Sequence, residues 1–177
     1  MIQPFGLRPA HLSDLQKILS LYKTVSAQSG GIIRMPSEIT EEYVLNFLES
    51  SLQTGICIVA EMENQIVGEI HAYACDLQSF RHILAELTIV VHPDFQSQSI
   101  GKALFVKFLN MVRVDFLHIL LVELFVRENN QKAVHFYQSL GFEIHGRLVN
   151  YIKNPDGSLE TPLQMMWKNP NYDENSR

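Results

Sequence analysis

Two short stretches of this chain concentrate residues that could handle an anion and a proton. The first runs Val91-His92-Pro93-Asp94-Phe95-Gln96-Ser97-Gln98-Ser99-Ile100-Gly101-Lys102-Ala103. Its β-branched start gives way to small polar residues and then to a helical pattern, so it reads as strand, loop and helix start. The first N–H groups of a helix lack internal acceptors, and the helix dipole puts partial positive charge behind them. Such a junction suits a diphosphate, although a plain crossover loop has the same outline. It is not a Walker A loop, lacking Gly-Lys-Ser/Thr, nor a dinucleotide loop, lacking Gly-x-Gly-x-x-Gly.

The second stretch is Asn130-Gln131-Lys132-Ala133-Val134-His135-Phe136-Tyr137-Gln138-Ser139-Leu140-Gly141-Phe142. Ala133 and Tyr137 are four apart and share one helix face. Asn130 caps that helix or opens its first turn, and Gly141 ends it. Tyr137 either offers a phenol at the rim of a cleft or packs as an amphipathic tyrosine. Three further groups could accept a proton: Glu86, at the start of the strand rich in β-branched residues, and Glu69 and His71 on the strand before it. Each also fits a solvated strand-end charge. Glu123 interrupts an apolar strand and fits an ion pair or an edge position. The seven histidines are scattered without His-x-His or His-Glu-x-x-His spacing, so no metal site is expected. Cys57 and Cys75 lie in strand-like runs and read as reduced core thiols.

These residues need a scaffold, and the patterning supplies one. Phe5 to Arg8 reads as a short strand. Ser13-Asp14-Leu15-Gln16 matches a capping box ahead of a helix with Leu15, Ile18, Leu19 and Tyr22 on one face. Ser26 to Met35, with Gly30-Gly31, is a loop. Thr40 is an N-cap for a second helix with Val44, Phe47 and Leu48 buried. Ile56–Ala60 and Gln65–Ala74 form a hairpin about Glu63-Asn64, and Leu87–Val91 is the central strand. A helix over Ile100–Phe116, a strand over Leu120–Val126 and a helix over Asn130–Leu140 follow. Two strands, Arg147–Lys153 and Leu163–Trp167, flank the turn Asn154-Pro155-Asp156-Gly157. This order gives an α/β (α+β) fold with an antiparallel front and a strand–helix–strand unit at its centre.

The two stretches, in this order and context, resemble the signature of the GNAT N-acetyltransferases. The family's loop, Gln/Arg-x-x-Gly-x-Gly/Ala, reads Gln96-x-x-Ser99-x-Gly101 here. Its second pattern is complete as Asn130, Ala133, Tyr137, Gly141 and Phe142. The resemblance covers nearly the whole chain and implies a mixed, mostly antiparallel sheet splayed at its central strands, with helices on both faces. It implies acetyl-CoA as cosubstrate and no metal. Ile89-Val90-Val91 would pair with the pantetheine arm, and a backbone N–H near Val91 would stabilise the oxyanion. The amides of Gln96, Ser97, Gln98, Ser99, Ile100 and Gly101, with Lys102 beside them, would cradle the diphosphate. Asn130 would bond the pantetheine beside Ala133, and Tyr137 would protonate the departing thiolate. Glu86 is the first choice of base. Ser99 departs from the family's glycine, which puts close backbone approach there in question.

Composition sets the outer limits. The 177 residues fit one domain, taken as 1–168 with a frayed tail at 169–177. The formal net charge of −5 argues against a nucleic-acid partner. No stretch suits a membrane span or a signal peptide, so a cytoplasmic protein is expected. The resemblance implies an amine-bearing small molecule or peptide as acceptor, which the acidic balance mildly suits. Members of the family often dimerise. A non-catalytic acyl-CoA sensor and a nucleotide-binding enzyme are the alternatives, the latter disfavoured by the absent phosphate-loop lysine.

Overall fold

The computed structural model describes residues 5–28 and 32–176; Gly30 and Gly31 of the first interhelical loop lie outside the described residues. Strand β1 (Gly6–Pro9) is followed by helices α1 (Leu15–Ser26) and α2 (Glu41–Thr54). Strands β2 (Gly55–Met62), β3 (Gln65–Tyr73) and β4 (Ile83–Val91) come next, then α3 (Ile100–Asp115), β5 (Leu121–Arg127) and α4 (Gln131–Ser139). The chain ends with β6 (Glu143–Arg147), β7 (Ile152–Lys153), β8 (Leu159–Glu160) and β9 (Pro162–Lys168). Seven strands form one sheet in the order β1-β2-β3-β4-β5-β9-β6. Only β4 and β5 pair in parallel; the other neighbours are antiparallel.

Apolar spacing decides which face each helix covers. Ile18, Tyr22 and Val25 of α1 and Val44, Phe47 and Leu48 of α2 are buried on one face of β2 and β3, against Cys57, Val59 and Val90. Leu104, Phe105, Phe108 and Val112 of α3 fill the other face, against Ile58, Ile70 and Leu84. Being covered on both sides, β2 and β3 are apolar almost throughout rather than alternating. Gly68 lets α3 come close: a Cβ there would lie 2.9 Å from Ile100 and 3.0 Å from Leu104. Thr40 caps α2 as expected, accepting from the Tyr43 N–H at 3.1 Å. Glu63 and Asn64 both have positive φ, the geometry a two-residue hairpin turn needs.

Four local expectations are corrected. The first is the cap before α1. A 3₁₀ turn over Leu12–Asp14 precedes the helix, and Asp14, not Ser13, accepts from the His11 N–H at 2.9 Å. Arg8 favours this by gripping both Asp14 oxygens at 2.7 and 2.9 Å. Next, the Asn154–Gly157 turn closes only the small β7–β8 ribbon; the sheet strand before it is β6, which starts straight after α4 and pairs with β9. Gly141, at φ +94, ends α4 and allows that immediate entry. Third, Cys75 lies past the end of β3 and is exposed, so only Cys57 is a core thiol. Last, Asn169 is not frayed: it is buried, and its side-chain amide donates to the carbonyls of Val112 (3.3 Å) and Ile119 (3.0 Å).

Candidate active site

The sheet opens at a bulge. Thr88 of β4 pairs with His71 and Ala85 pairs with Tyr73, so Glu86 and Leu87 together oppose Ala72. Glu86 takes a left-handed conformation, φ 55, which a glutamate adopts only at some cost. β4 pairs with β5 only before this point, through Ile83 and Leu84. Beyond it the strands separate around a cleft of about 450 Å³. Glu86 to Ile89, Leu124 to Arg127, Asn130, Ala133, Tyr137, Ile32 to Arg34 and Tyr43 are among its walls.

Free backbone lines one side of that cleft. His92 N–H bonds to Val67 O at 2.8 Å, fixing which β4 amides face β3. By antiparallel alternation, Thr88 and Val90 face β3, while Ile89 and Val91 turn their N–H and C=O toward the gap. Val90, grouped with them in the sequence, is therefore a packing residue under α1 and α2. Ser97 and Ser99 both have φ 64, so the loop from Gln96 to Ser99 curls tightly into α3. Ser99 is the N-cap residue but its side chain makes no capping bond, and the first amides of α3 are left without a side-chain acceptor. Ile100 is buried, Gln98 half-buried, and Gln96 and Lys102 are exposed. A Cβ on Gly101 would make only ordinary contacts with Val91 and Ile89.

The α4 side supplies polar groups. Asn130 caps α4 through Oδ1, accepting from Ala133 N–H at 3.2 Å. Tyr137 rests on Phe105, with ring centroids 5.5 Å apart, and also touches Phe136 and Phe142. Burial pushes its phenol up to about 12, so it is protonated near neutrality. Glu86 and Tyr137 thus face one cleft from β4 and α4.

Glu69 and His71 behave differently. Both are buried between β3 and the helices α1 and α2. Tyr22 Oη donates to Glu69 Oε2 at 2.7 Å, the Cys57 thiol donates to Oε1 at 3.1 Å, and His71 Nδ1 lies 3.0 Å from Oε1. The His71 ring stacks on Phe47 at 3.9 Å and 7°. Burial first, and the nearby Glu69 charge second, push the Tyr22 and Cys57 groups well up, keeping both protonated as donors. The whole knot could not be found from sequence: Glu69 and His71 share one face of β3, but Tyr22 and Cys57 reach them from α1 and β2. Glu123 is neither at an edge nor, among the described residues, in an ion pair: β5 lies between β4 and β9, and the carboxylate accepts from Gln164 Nε2 of β9 at 2.9 Å.

Two further features bound the chemistry. A groove of about 710 Å³ runs along the outside of α3, lined by Val106, Met111 and Val114 together with Lys102, Lys107, Asn110 and Asp115. Among the described residues no group of three or more His, Cys, Asp or Glu could hold a metal ion. Nor is any described helix long and apolar enough to cross a membrane.

Comparison with known proteins agrees with this geometry. Residues 53–144, just over half of the chain, match the acetyltransferase (GNAT) domain family. The L-amino acid N-acyltransferase MnaT of Escherichia coli is 22% identical over 145 residues, 81% of this chain and 82% of that protein. The yncA structure from Salmonella typhimurium, solved with its cofactor acetyl-CoA, superposes with a TM-score of 0.82 at 17% identity, covering 99% and 98% of the two chains. A phosphinothricin acetyltransferase from Sinorhizobium meliloti in complex with acetyl-CoA gives 0.80 at 19% identity, covering 97% and 92%. By its sequence match and its splayed sheet, this chain belongs to the GNAT acetyltransferase family.

Proposed function

We propose that the protein transfers the acetyl group of acetyl-CoA to a primary amine by direct attack within a ternary complex. The observation that carries this reading is the β4 backbone that β5 leaves unpaired past the bulge: Ile89 lines one cleft with Glu86 and Tyr137, and Val91 follows it on the same strand edge. Bound acetyl-CoA would supply an activated acyl carbon and a thiolate leaving group. The chain's residues fit it. Ile89 and Val91 offer strand-like hydrogen bonding to the amide-bearing pantetheine arm. The uncapped amides at the start of α3 and the curl through Ser97 and Ser99 offer an anion cradle for the diphosphate. The Asn130 side chain, its Oδ1 occupied by the cap, keeps its NH₂ to donate.

In this reading the Val91 N–H steadies negative charge developing on the thioester oxygen. Tyr137, held protonated by its apolar bed, gives its proton to sulfur. Glu86 takes the amine proton, directly or through water. No cysteine lines the cleft, which favours direct transfer over a covalent enzyme intermediate.

The test is thiol release from acetyl-CoA with a panel of amines, read beside product mass. The proposal expects amine-dependent release with a product heavier by one acetyl group. In addition, kcat/KM should rise with pH to a plateau in the wild type, and Glu86→Gln should cut the rate most near neutrality. Acetyl-CoA binding with no amine-dependent release would point instead to an acyl-CoA sensor.

A further inference from the structure

The acceptor end of the cleft carries an unusual charge inventory. Four of its lining side chains are charged: Arg34, Glu38, Glu86 and Arg127. Two are already engaged. Glu38 accepts from the Met35 N–H at 2.8 Å, and Arg127 is paired with Glu160 of the β7–β8 ribbon. Among the described residues neither Arg34 nor Glu86 has an ion-pair partner, and they do not pair with each other.

Arg34 is also held in a particular way. Its guanidinium carbon sits 4.1 Å over the Tyr43 ring centroid. Stacking on Tyr43 restrains the planar group, and a guanidinium fork can meet a carboxylate through two parallel bonds. Tyr43 is itself fixed against Tyr22 and Phe47, with ring centroids 6.0 and 5.3 Å away. Arg34 and Glu86 act on a common neighbour: the Tyr73 phenol, raised chiefly by burial, is raised further by Glu86 and opposed by Arg34. The cleft therefore shows one cation restrained on Tyr43, Arg34, and one carboxylate on the bulge, Glu86, neither in an ion pair among the described residues, while the Glu38 carboxylate is turned to the Met35 N–H. A polyamine would leave the Arg34 charge facing another cation.

We infer that the acceptor is a small amino acid-like molecule, with its carboxylate on Arg34 and its amine on the Glu86 side. A cleft of about 450 Å³ that must also admit the acyl end of acetyl-CoA leaves room for a small molecule. The inference rests on the transferase reading and deepens it by naming the substrate class.

The test compares matched acceptors: L-amino acids, their α-amides, the corresponding decarboxylated amines and short peptides with the same first residue. Wild type should acetylate at least one free amino acid with kcat/KM tenfold or more above its amide and its decarboxylated amine. Arg34→Met should raise KM for the acid at least tenfold with little change in kcat, so that the preference for the acid collapses. Arg34→Lys should recover part of it. Calorimetric titration of the acid into protein saturated with CoA should show the same weakening without relying on turnover. Arg34 is exposed, so these variants should fold. Amides, peptides or polyamines accepted as well as the acids, or an acid preference surviving in Arg34→Met, would overturn the inference and leave the transferase reading standing. Failure of acetyl-CoA itself to bind would remove both.

Discussion

One side of the cleft is made of backbone and the other of side chains. Toward α3 and α4, the working groups are the amides of Ile89 and Val91, the uncapped first turn of α3, and one tyrosine on an aromatic bed. Toward α1 and α2, they are Arg34 stacked on Tyr43, Glu86 on its bulge, and beneath them the knot of Tyr22, Glu69, His71 and Cys57. Peptide groups are the same in every protein, so a backbone site survives wide sequence change if loop and strand keep their path. A side-chain site belongs to the particular chain. The family match follows this division only in part: it spans 53–144 and leaves out α1, most of α2, Tyr22, Arg34 and Tyr43, but takes in Glu86 and the Cys57, Glu69 and His71 members of the knot. On the proposed mechanism the matched segment carries the cosubstrate groups, and the unmatched region supplies Arg34 and Tyr43 of the acceptor side.

The largest expected effect is on the first side. Tyr137→Phe should lower kcat by about 10²–10⁴-fold, with KM for acetyl-CoA little changed, because the ring and its packing remain. With its phenol pushed up to about 12, Tyr137 should give the wild type no alkaline fall in rate across the usual assay range. A variant with unchanged kcat and a lower melting temperature would make Tyr137 a packing residue and remove the chemistry from this side.

The next effect belongs to the other side and is structural. Glu69→Leu would take the acceptor from the buried Tyr22 hydroxyl and Cys57 thiol and remove the partner of His71 Nδ1, and should cost about 1–3 kcal/mol per stranded group in urea unfolding. Acetyl-CoA affinity of the folded fraction should be nearly unaffected if the two sides are as separate as they look. A joint loss of stability and cosubstrate affinity would break the comparison.

What could be read from sequence follows the same division. The loop from Gln96 to Gly101 and the helix from Asn130 to Gly141 are local signals, since capping, helical spacing and small-residue loops act within a few residues. Ser99 was legible as a departure, though not its left-handed backbone. The knot was not legible, because Tyr22 and Glu69 are 47 residues apart and meet only after α1 docks on β3. Glu86 could be named as an acid near the central strand, but the bulge that turns it into the cleft depends on pairing with β3. The cap of α1 was misread for the same reason: Arg8 of β1 recruits Asp14.

That cap gives a smaller, pH-dependent prediction. The hydrogen bonds from Arg8 hold the Asp14 carboxyl below its usual range, against the opposing cost of burial. A depressed folded-state value stabilises above the unfolded value of about 3.9 and is lost as pH falls through the folded one. Asp14→Asn should therefore cost about 1.5–3 kcal/mol near neutrality, and the gap from wild type should close in strong acid. A gap that persists at low pH would mean that packing, not charge, makes the contribution.

The smallest effect concerns Ser99. Glycine accepts φ 64 without a side-chain penalty, so Ser99→Gly should stabilise the protein by about 1 kcal/mol. It should also lower KM for acetyl-CoA several-fold with kcat nearly fixed, because contacts to the diphosphate contribute uniform binding. A raised KM would show that the serine hydroxyl itself holds phosphate.

The division between the two sides is tested most directly by amide hydrogen exchange with and without acetyl-CoA. The account predicts added protection at Ile89 and Val91, across Gln96 to Lys102 and around Asn130 to Tyr137, with α1 and α2 little changed. Protection concentrated on α1 and α2, or none at Ile89, Val91 and the loop before α3, would contradict it.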